Sequence, residues 1–298
     1  MAVGAENPCQ GSITVYSLSM NFPPFWARAK KEDFICWRWS FKSMAEAEEL
    51  ASRALEQLMA RIKSGDIPRG THGGYYPNRP FREQIIRELK DPAGQTSAVI
   101  TRNSYGCLVL NTARAMFVDI DLPEPKKPGG FFKKLFGKPE IAPSSNPQAQ
   151  AIARIENWSR SHSEWGWRIY RTRSGLRLLA TQGLVDANAD ISNTVFEALG
   201  ADPLYQKLCK AQQCFRARLT PKPWRCGLRD KPPQWPWLEP RQEQRFQKWQ
   251  AKYQSCQANW ATCEFVKQIG NPEIHPEVQT ILNLHDEPTR AQSKLPLA

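Results

Sequence analysis

Two aspartates at alternate positions, Asp119 and Asp121, are the residues best suited to chemistry in this sequence. They lie in the run FVDID at residues 117–121, which predicts a strand, and alternate residues of a strand share one face. Two neighbouring carboxylates repel each other and are costly to bury unpaired. Mg²⁺ or Mn²⁺ would resolve both problems, because hard cations take carboxylate oxygens together with substrate phosphates. The pair therefore predicts a catalytic metal site, and the alternative is a strand that simply ends at Asp121.

A basic hairpin supplies the second group of candidates. Residues 165–177 contain four arginines and no acidic residue, with a turn at Ser174-Gly175. Arginine binds phosphate through two parallel hydrogen bonds, and glycine allows a tight turn whose N–H groups face an anion. The candidate phosphate-binding residues here are Arg171, Arg173, Ser174 and Arg177. The alternative is an exposed hairpin that is basic only because the whole protein is basic.

The third group follows from a predicted strand at 215–219. Arg216 and Arg218 share one face of this strand, and Lys222, Trp224 and Arg225 come soon afterwards. Cations interleaved with an aromatic ring suit a nucleic-acid backbone and its bases. Residues 165–231 hold 12 lysines and arginines against 5 acidic residues, so the excess positive charge coincides with the candidate site. The alternative is a packing loop rich in proline and tryptophan with a solvated charged face.

Composition places these residues in a basic, folded chain. The 298 residues carry a formal net charge of +12, with 41% hydrophobic and 10% aromatic residues. This apolar and aromatic content excludes disorder of the whole chain. No run approaches the roughly 18 apolar residues of a spanning helix. The first ten residues lack a basic region followed by an apolar one, so we expect a cytoplasmic protein without a membrane span.

Other reactive residues are predicted to have structural roles. The 8 cysteines include no C-x-x-C pair, and thiols are their expected state in a reducing compartment. A metal shared by Cys209, Cys214 and Cys226 is the alternative. His285 and Asp286 lie on the last predicted helix and are expected at the surface.

The elements that must position the candidates are a mixture of strands and helices. The main expected strands are 34–41, 98–102, 107–111, 115–121, 165–172, 176–181 and 215–219. The main expected helices are 43–64, 81–90, 147–160, 192–199, 239–255 and 274–286. Several hairpins in place of a strict βαβ alternation predict an α+β fold, with a mixed or antiparallel sheet and flanking helices.

Three regions are expected along the chain. Residues 1–95 form an N-terminal α/β region, 96–230 form the core, and 231–298 form a mostly helical extension. Residues 122–149 contain six prolines and five lysines, a composition that predicts a flexible insertion within the core.

The order of these motifs resembles the archaeo-eukaryotic primase superfamily, which includes the primase-polymerases. Residues 117–121 are similar to the family's hhhDhD strand, and 215–225 are similar to its later basic stretch. Ser174-Gly175-Leu176-Arg177 stands where the family has an S-x-H motif that holds nucleotide phosphates, with Arg177 near the place of the histidine. The resemblance covers about residues 98–225. It implies a primase-like core with an RRM-like sheet and a third acid, for which the nearest residues are Asp186, Asp190 and Asp202.

These signals predict a metal-dependent nucleotidyltransferase of the primase or polymerase type, with nucleotides or nucleic acid as its partners. Asp119 and Asp121 would hold Mg²⁺ or Mn²⁺. The alternatives are a non-catalytic nucleic-acid-binding protein that uses the same basic surface, and a metal-dependent phosphoesterase. A third carboxylate close to the two aspartates would favour an enzyme. An ion pair of Arg177 with either aspartate would fill the site without a cation and favour a binder.

Overall fold

The structure is a computed structural model and describes residues 20–66, 81–123 and 146–298. The strands in this part of the chain pair in an antiparallel arrangement. The strands are β1 (Phe25–Lys31), β2 (Phe34–Ser40), β3 (Gln84–Lys90), β4 (Thr96–Arg102), β5 (Leu108–Thr112), β6 (Phe117–Asp121), β7 (Gly166–Thr172), β8 (Gly175–Ala180), β9 (Phe215–Arg218) and β10 (Cys263–Gly270). The helices are α1 (Met44–Lys63), α2 (Pro147–Ser161), α3 (Asp190–Leu199), α4 (Pro203–Gln212), α5 (Pro240–Gln257) and α6 (Pro276–Thr289). A 3-10 turn at Pro223–Cys226 follows β9.

The two aspartates lie on the edge strand of a four-stranded sheet with the order β10-β7-β8-β6. Every residue of β8 is buried, so both faces of this strand are covered. Helices α2, α3 and α6 contribute Ile155, Phe196 and Ile281 to the same core. Packing therefore fixes the register of β6 against β8, and this register places Asp119 opposite Arg177.

A second four-stranded sheet has the order β3-β4-β5-β9. Strand β9 links the two sheets, because it pairs with β5 and lies beside β6. Phe215 and Ala217 of β9 are buried in the same core as Phe117 of β6. The link brings the segment after β9, with its cations and Trp224, to the sheet that carries the aspartates.

The N-terminal hairpin β1–β2 packs on α1. The helix begins after Ser43, whose hydroxyl caps it by accepting a hydrogen bond from the N–H of Glu46 at 3.1 Å. Small residues at helical spacing, Ala47, Ala51 and Ala54, face the hairpin and let the two elements approach closely.

The predicted α+β fold with antiparallel sheets and flanking helices is confirmed. The predicted helix at 81–90 is wrong, because Gln84–Lys90 is β3 and pairs with β4. This pairing overrides the local helix propensity of the segment.

The C-terminal region 231–298 contains two helices and also supplies β10, which pairs with β7. Most of the insertion expected at 122–149 lies outside the described residues. No helix in the described ranges is long and apolar enough to cross a membrane.

Candidate nucleic-acid interface

Asp119 is held by Arg177 across the β6–β8 pair. The Arg177 Nε donates to Asp119 Oδ1 at 2.7 Å, and Nη2 donates to Oδ2 at 3.1 Å. The arginine side chain is 2% exposed, whereas that of the aspartate is 31% exposed. Arg177 Nη1 also donates to the backbone oxygen of Arg218 at 2.9 Å. Both oxygens of the predicted metal ligand therefore accept hydrogen bonds from one buried cation.

His285 and Asp286 extend this pair into the interior, which corrects the surface position predicted for them. His285 is fully buried, and its Nε2 lies 3.4 Å from Arg177 Nη1. A guanidinium only donates, so Nε2 accepts and Nδ1 carries the proton that it donates to Asp286 Oδ1 at 2.9 Å. Asp286 Oδ2 accepts from Arg168 Nη2 at 2.8 Å. A continuous buried chain of polar groups thus runs from Arg168 to Asp119.

The surroundings of His285 and Asp286 determine which of them is protonated. Burial lowers the pKa of His285, and the positive charge of Arg177 lowers it further. Although burial opposes it, the hydrogen bond from His285 keeps the pKa of Asp286 below its usual range. His285 is therefore neutral at pH 7 between a cation and an anion. Nothing in the sequence indicated this contact, because His285 and Arg177 are 108 residues apart in the chain.

Asp121 and Asp202 are the acidic groups near the Arg177–Asp119 pair. Burial, then the charges of Asp202 and Asp119, raise the pKa of Asp121. The Asp202 carboxylate accepts from the N–H of Tyr205 at 2.8 Å and so caps α4. Within residues 20–66, 81–123 and 146–298, no group of three His, Cys, Asp or Glu residues could hold a metal ion. As paired here, Asp119 is a poor ligand for Mg²⁺ or Mn²⁺, because Arg177 donates to both of its oxygens and compensates its negative charge.

A groove of about 1440 Å³ opens at the end of this sheet. Five of the predicted binding residues line it: Arg171, Arg173, Ser174, Trp224 and Arg225. Arg171 lies near the end of β7, Arg173 and Ser174 form the β7–β8 turn, and Trp224 and Arg225 belong to the 3-10 turn after β9. Arg225 Nη2 donates to Ser174 Oγ at 2.6 Å and joins the two turns. Two predicted binding segments that are about fifty residues apart in the chain therefore form one wall of the groove.

The arginines that line the groove differ in whether they already form ion pairs with acidic residues. Arg171 Nη2 lies 2.5 Å from Glu264 Oε2, with both side chains close to half exposed, and such surface pairs are weak. Arg173 is exposed and has no ion pair in the part of the chain that the structure describes.

Glycine is needed at position 175 because the backbones of β6 and β8 approach each other closely there. A Cβ on Gly175 would lie 1.9 Å from the backbone oxygen of Ile120. This close approach of β6 and β8 lies beside the groove.

Trp224 provides an aromatic surface at the rim of the groove. It is 49% exposed, and Tyr105 packs edge-on against it with ring centroids 5.1 Å apart. The Lys222 ammonium lies 5.6 Å from the Trp224 ring centroid. Burial, Arg218 and Arg225 lower the pKa of Lys222. An exposed tryptophan among cations is an arrangement that stacks a base and contacts its phosphate.

Two of the predicted phosphate-binding arginines of β8 and β9 are buried in ion pairs. Arg177 binds Asp119, and Arg216 Nη2 lies 2.7 Å from Glu83 Oε1. Glu83 was not singled out in the sequence, and it also accepts a hydrogen bond from Thr101. Arg218 is largely buried, and burial together with Arg177 lowers its pKa. The binding surface therefore consists of the groove residues with Lys222, and not of the full set predicted from the sequence.

Six of the seven cysteines in the described ranges are buried, and Cys256 is partly exposed. The seven cysteines of the described ranges are free, which agrees with the expected thiol state. Burial raises the pKa of Cys209 to about 12, and it also raises the pKa of Cys214. Thiols of this kind are poor metal ligands at pH 7.

No protein-family model, curated protein or solved structure matches this chain.

Proposed function

We propose that this protein binds nucleic acid in the groove and does not act on it chemically. The observation that carries the proposal is the hydrogen bond from Arg225 to Ser174, which joins two basic turns into one wall. Arg173 and Arg225 provide donors for phosphate oxygens, and Trp224 provides a surface for a base. The formal net charge of +12 adds long-range attraction for a polyanion.

The absence of chemistry follows from the pairing of Asp119. A carboxylate that accepts two hydrogen bonds from a buried guanidinium keeps lone pairs on both oxygens, but its negative charge is already compensated, so it attracts a cation only weakly. To bind a metal, Asp119 would have to leave Arg177 without a counter-charge in the protein interior, which is costly. Arg177 therefore neutralises the position that a metal occupies in a phosphoryl-transfer site.

The topology supports a primase-like core with an RRM-like sheet as part of this proposal. Strand β6 is followed by α2, then by the β7–β8 hairpin, two helices and β9. The spatial order β7-β8-β6, with β9 beside β6, is that of a split β-α-β-β-α-β unit. We propose that the chain uses this architecture for binding.

The experiment is the binding of fluorescent single- and double-stranded oligonucleotides, measured by anisotropy over a range of salt concentrations. The wild type should bind at low salt, and its affinity should fall steeply as salt rises, because counterions are released. The variant Arg173→Ala/Arg225→Ala should bind more weakly, with the salt slope reduced by about 2, since each phosphate-contacting cation contributes about 1.

The matched control is Lys207→Ala/Lys210→Ala, which removes the same charge from exposed positions on α4. This control should keep nearly the affinity of the wild type. A flat salt dependence, absence of binding at low salt, or equal losses in the two variants would refute the groove as a nucleic-acid site.

Metal-dependent nucleotidyl transfer is the second candidate, and phosphoester hydrolysis shares its requirement for a cation. The observation in its favour is that Asp202 and Asp119 both raise the pKa of Asp121, so the three carboxylates lie within electrostatic range. The test is extension of a labelled oligonucleotide with nucleoside triphosphates and Mn²⁺. Extension by the wild type that Asp121→Asn abolishes would support this candidate over simple binding.

A further inference from the structure

The β1–β2 hairpin presents a second basic and aromatic face. Its register places Arg28 opposite Trp37 and Lys30 opposite Ile35, so these four side chains share one face. The other face, with Ala27, packs on α1. Arg28 and Lys30 are exposed, and Ile35 is 48% exposed. Among the described residues, no third strand pairs with this hairpin.

Basic and aromatic residues lie between this face and the groove. The Arg82 guanidinium carbon lies 3.9 Å from the Trp37 ring centroid. Arg82 and Arg102 together line a shallow depression that also includes Ser104. Tyr105 follows Ser104 in the chain and packs on Trp224 at the rim of the groove. The hairpin face and the groove are therefore linked by the Arg82–Trp37 stack at one end and the Tyr105–Trp224 contact at the other.

We infer that this face is a second contact surface for the same nucleic-acid strand, beyond the groove, and that it engages only strands long enough to reach it. The inference rests on the proposed function. Arg28, Lys30 and Arg82 match the charge of a phosphate backbone, and the Trp37 ring, on which Arg82 stacks, lies among them. The acidic residues of the hairpin, Glu32 and Asp33, are confined to its turn, so the bound strand crosses the hairpin and does not reach the tip.

Length dependence separates this surface from the groove. Affinities are measured for single-stranded oligonucleotides of about 4 and about 16 nucleotides, the range covered by known single-strand-binding folds. The variant Arg28→Ala/Lys30→Ala should bind the short oligonucleotide as the wild type does, because the groove is intact. It should bind the long one about tenfold more weakly, because two phosphate contacts are lost. Both positions are exposed, so the variant is expected to fold.

Two controls make the outcomes distinct. Lys207→Ala/Lys210→Ala removes the same charge and should keep the affinity for both lengths. Arg173→Ala/Arg225→Ala should weaken binding of both lengths. If Arg28→Ala/Lys30→Ala keeps the affinity of the wild type for the long oligonucleotide, the second surface is refuted while the groove stands. If neither length binds to the wild type, the proposed function fails, and this inference fails with it.

Discussion

Arg177 and Asp119 form an ion pair whose two members differ greatly in burial. The guanidinium is 2% exposed and the carboxylate 31% exposed, with Nε–Oδ1 and Nη2–Oδ2 distances of 2.7 and 3.1 Å. A buried cation is thus held by an anion that reaches solvent. Loss of the anion leaves the cation without compensation in the interior, whereas loss of the cation leaves a carboxylate that water can solvate.

This asymmetry predicts unequal effects on stability. Asp119→Ala should lower the free energy of unfolding by about 3–5 kcal/mol, because Arg177 becomes an unpaired buried charge. Arg177→Met should lower the free energy of unfolding by less than Asp119→Ala does, because methionine fills the space and water hydrates Asp119. Urea denaturation measures both, with Asp121→Ala as a nearly neutral control on the same strand face. Equal and small losses for the two variants would show that the pair is not buried as described.

The neutral state of His285 predicts acid sensitivity. Its pKa in the folded protein is lowered by burial and Arg177, so the unfolded chain takes up the proton more readily. The free energy of unfolding should therefore fall as the pH drops below about 6.5, the pKa of an unperturbed histidine.

Denaturation at pH 7.5 and pH 5.5 checks this dependence. His285→Gln should lose less stability between the two pH values than the wild type does, because it has no group to protonate. His162→Gln, near the end of α2, is the control and should behave as the wild type. If His285→Gln shows the same pH dependence of stability as the wild type, His285 is not the group that is buried in its neutral state.

Close backbone packing at Gly175 predicts a steric effect. A Cβ at this position would lie 1.9 Å from the Ile120 oxygen, so β6 and β8 would have to move apart. Gly175→Ala should lower the free energy of unfolding by about 1–3 kcal/mol, as overpacking does. At Gly183 a Cβ would meet nothing within 4 Å, so Gly183→Ala should be nearly neutral. Thermal unfolding compares the two, and equal effects would argue against the close approach.

The negative charge of Asp121 predicts repulsion of a bound polyanion. Its pKa is raised by burial, Asp202 and Asp119, so its ionised form is already disfavoured in the folded state. Asp121→Asn should strengthen oligonucleotide binding, and it should stabilise the fold by no more than about 0.5 kcal/mol, because the side chain is only partly buried and water screens its charge. Anisotropy titration tests this, with Glu56→Gln on α1 as the charge-matched control. Weaker binding by Asp121→Asn would show that this carboxylate contributes to the site.

Local signals in the sequence predicted much of the fold. Helix α1 follows from the cap at Ser43 and its apolar spacing, and the β7–β8 hairpin follows from the turn at Ser174. The segment at Gln84–Lys90 was misassigned because its structure depends on pairing with β4, which no local pattern records.

The site could be predicted only in part, since it depends on register and on long-range packing. The five groove residues were all identified from charge and residue type. Whether Arg177 faces an aspartate or the groove depends on the pairing of β6 with β8, and its partner lies 58 residues away. The position of His285 depends on how α6 packs, so its burial beside Arg177 had no signal in its own neighbourhood.

We propose that Arg177 takes the place that a metal ion would have at Asp119. Calorimetric titration of the wild-type protein with Mn²⁺ tests it most directly. Because both oxygens of Asp119 are held by the guanidinium, we predict no binding of Mn²⁺ at this position in the wild type, whereas Arg177→Met frees the carboxylate to bind. A one-site binding isotherm in the wild type that Asp121→Asn abolishes would contradict the account.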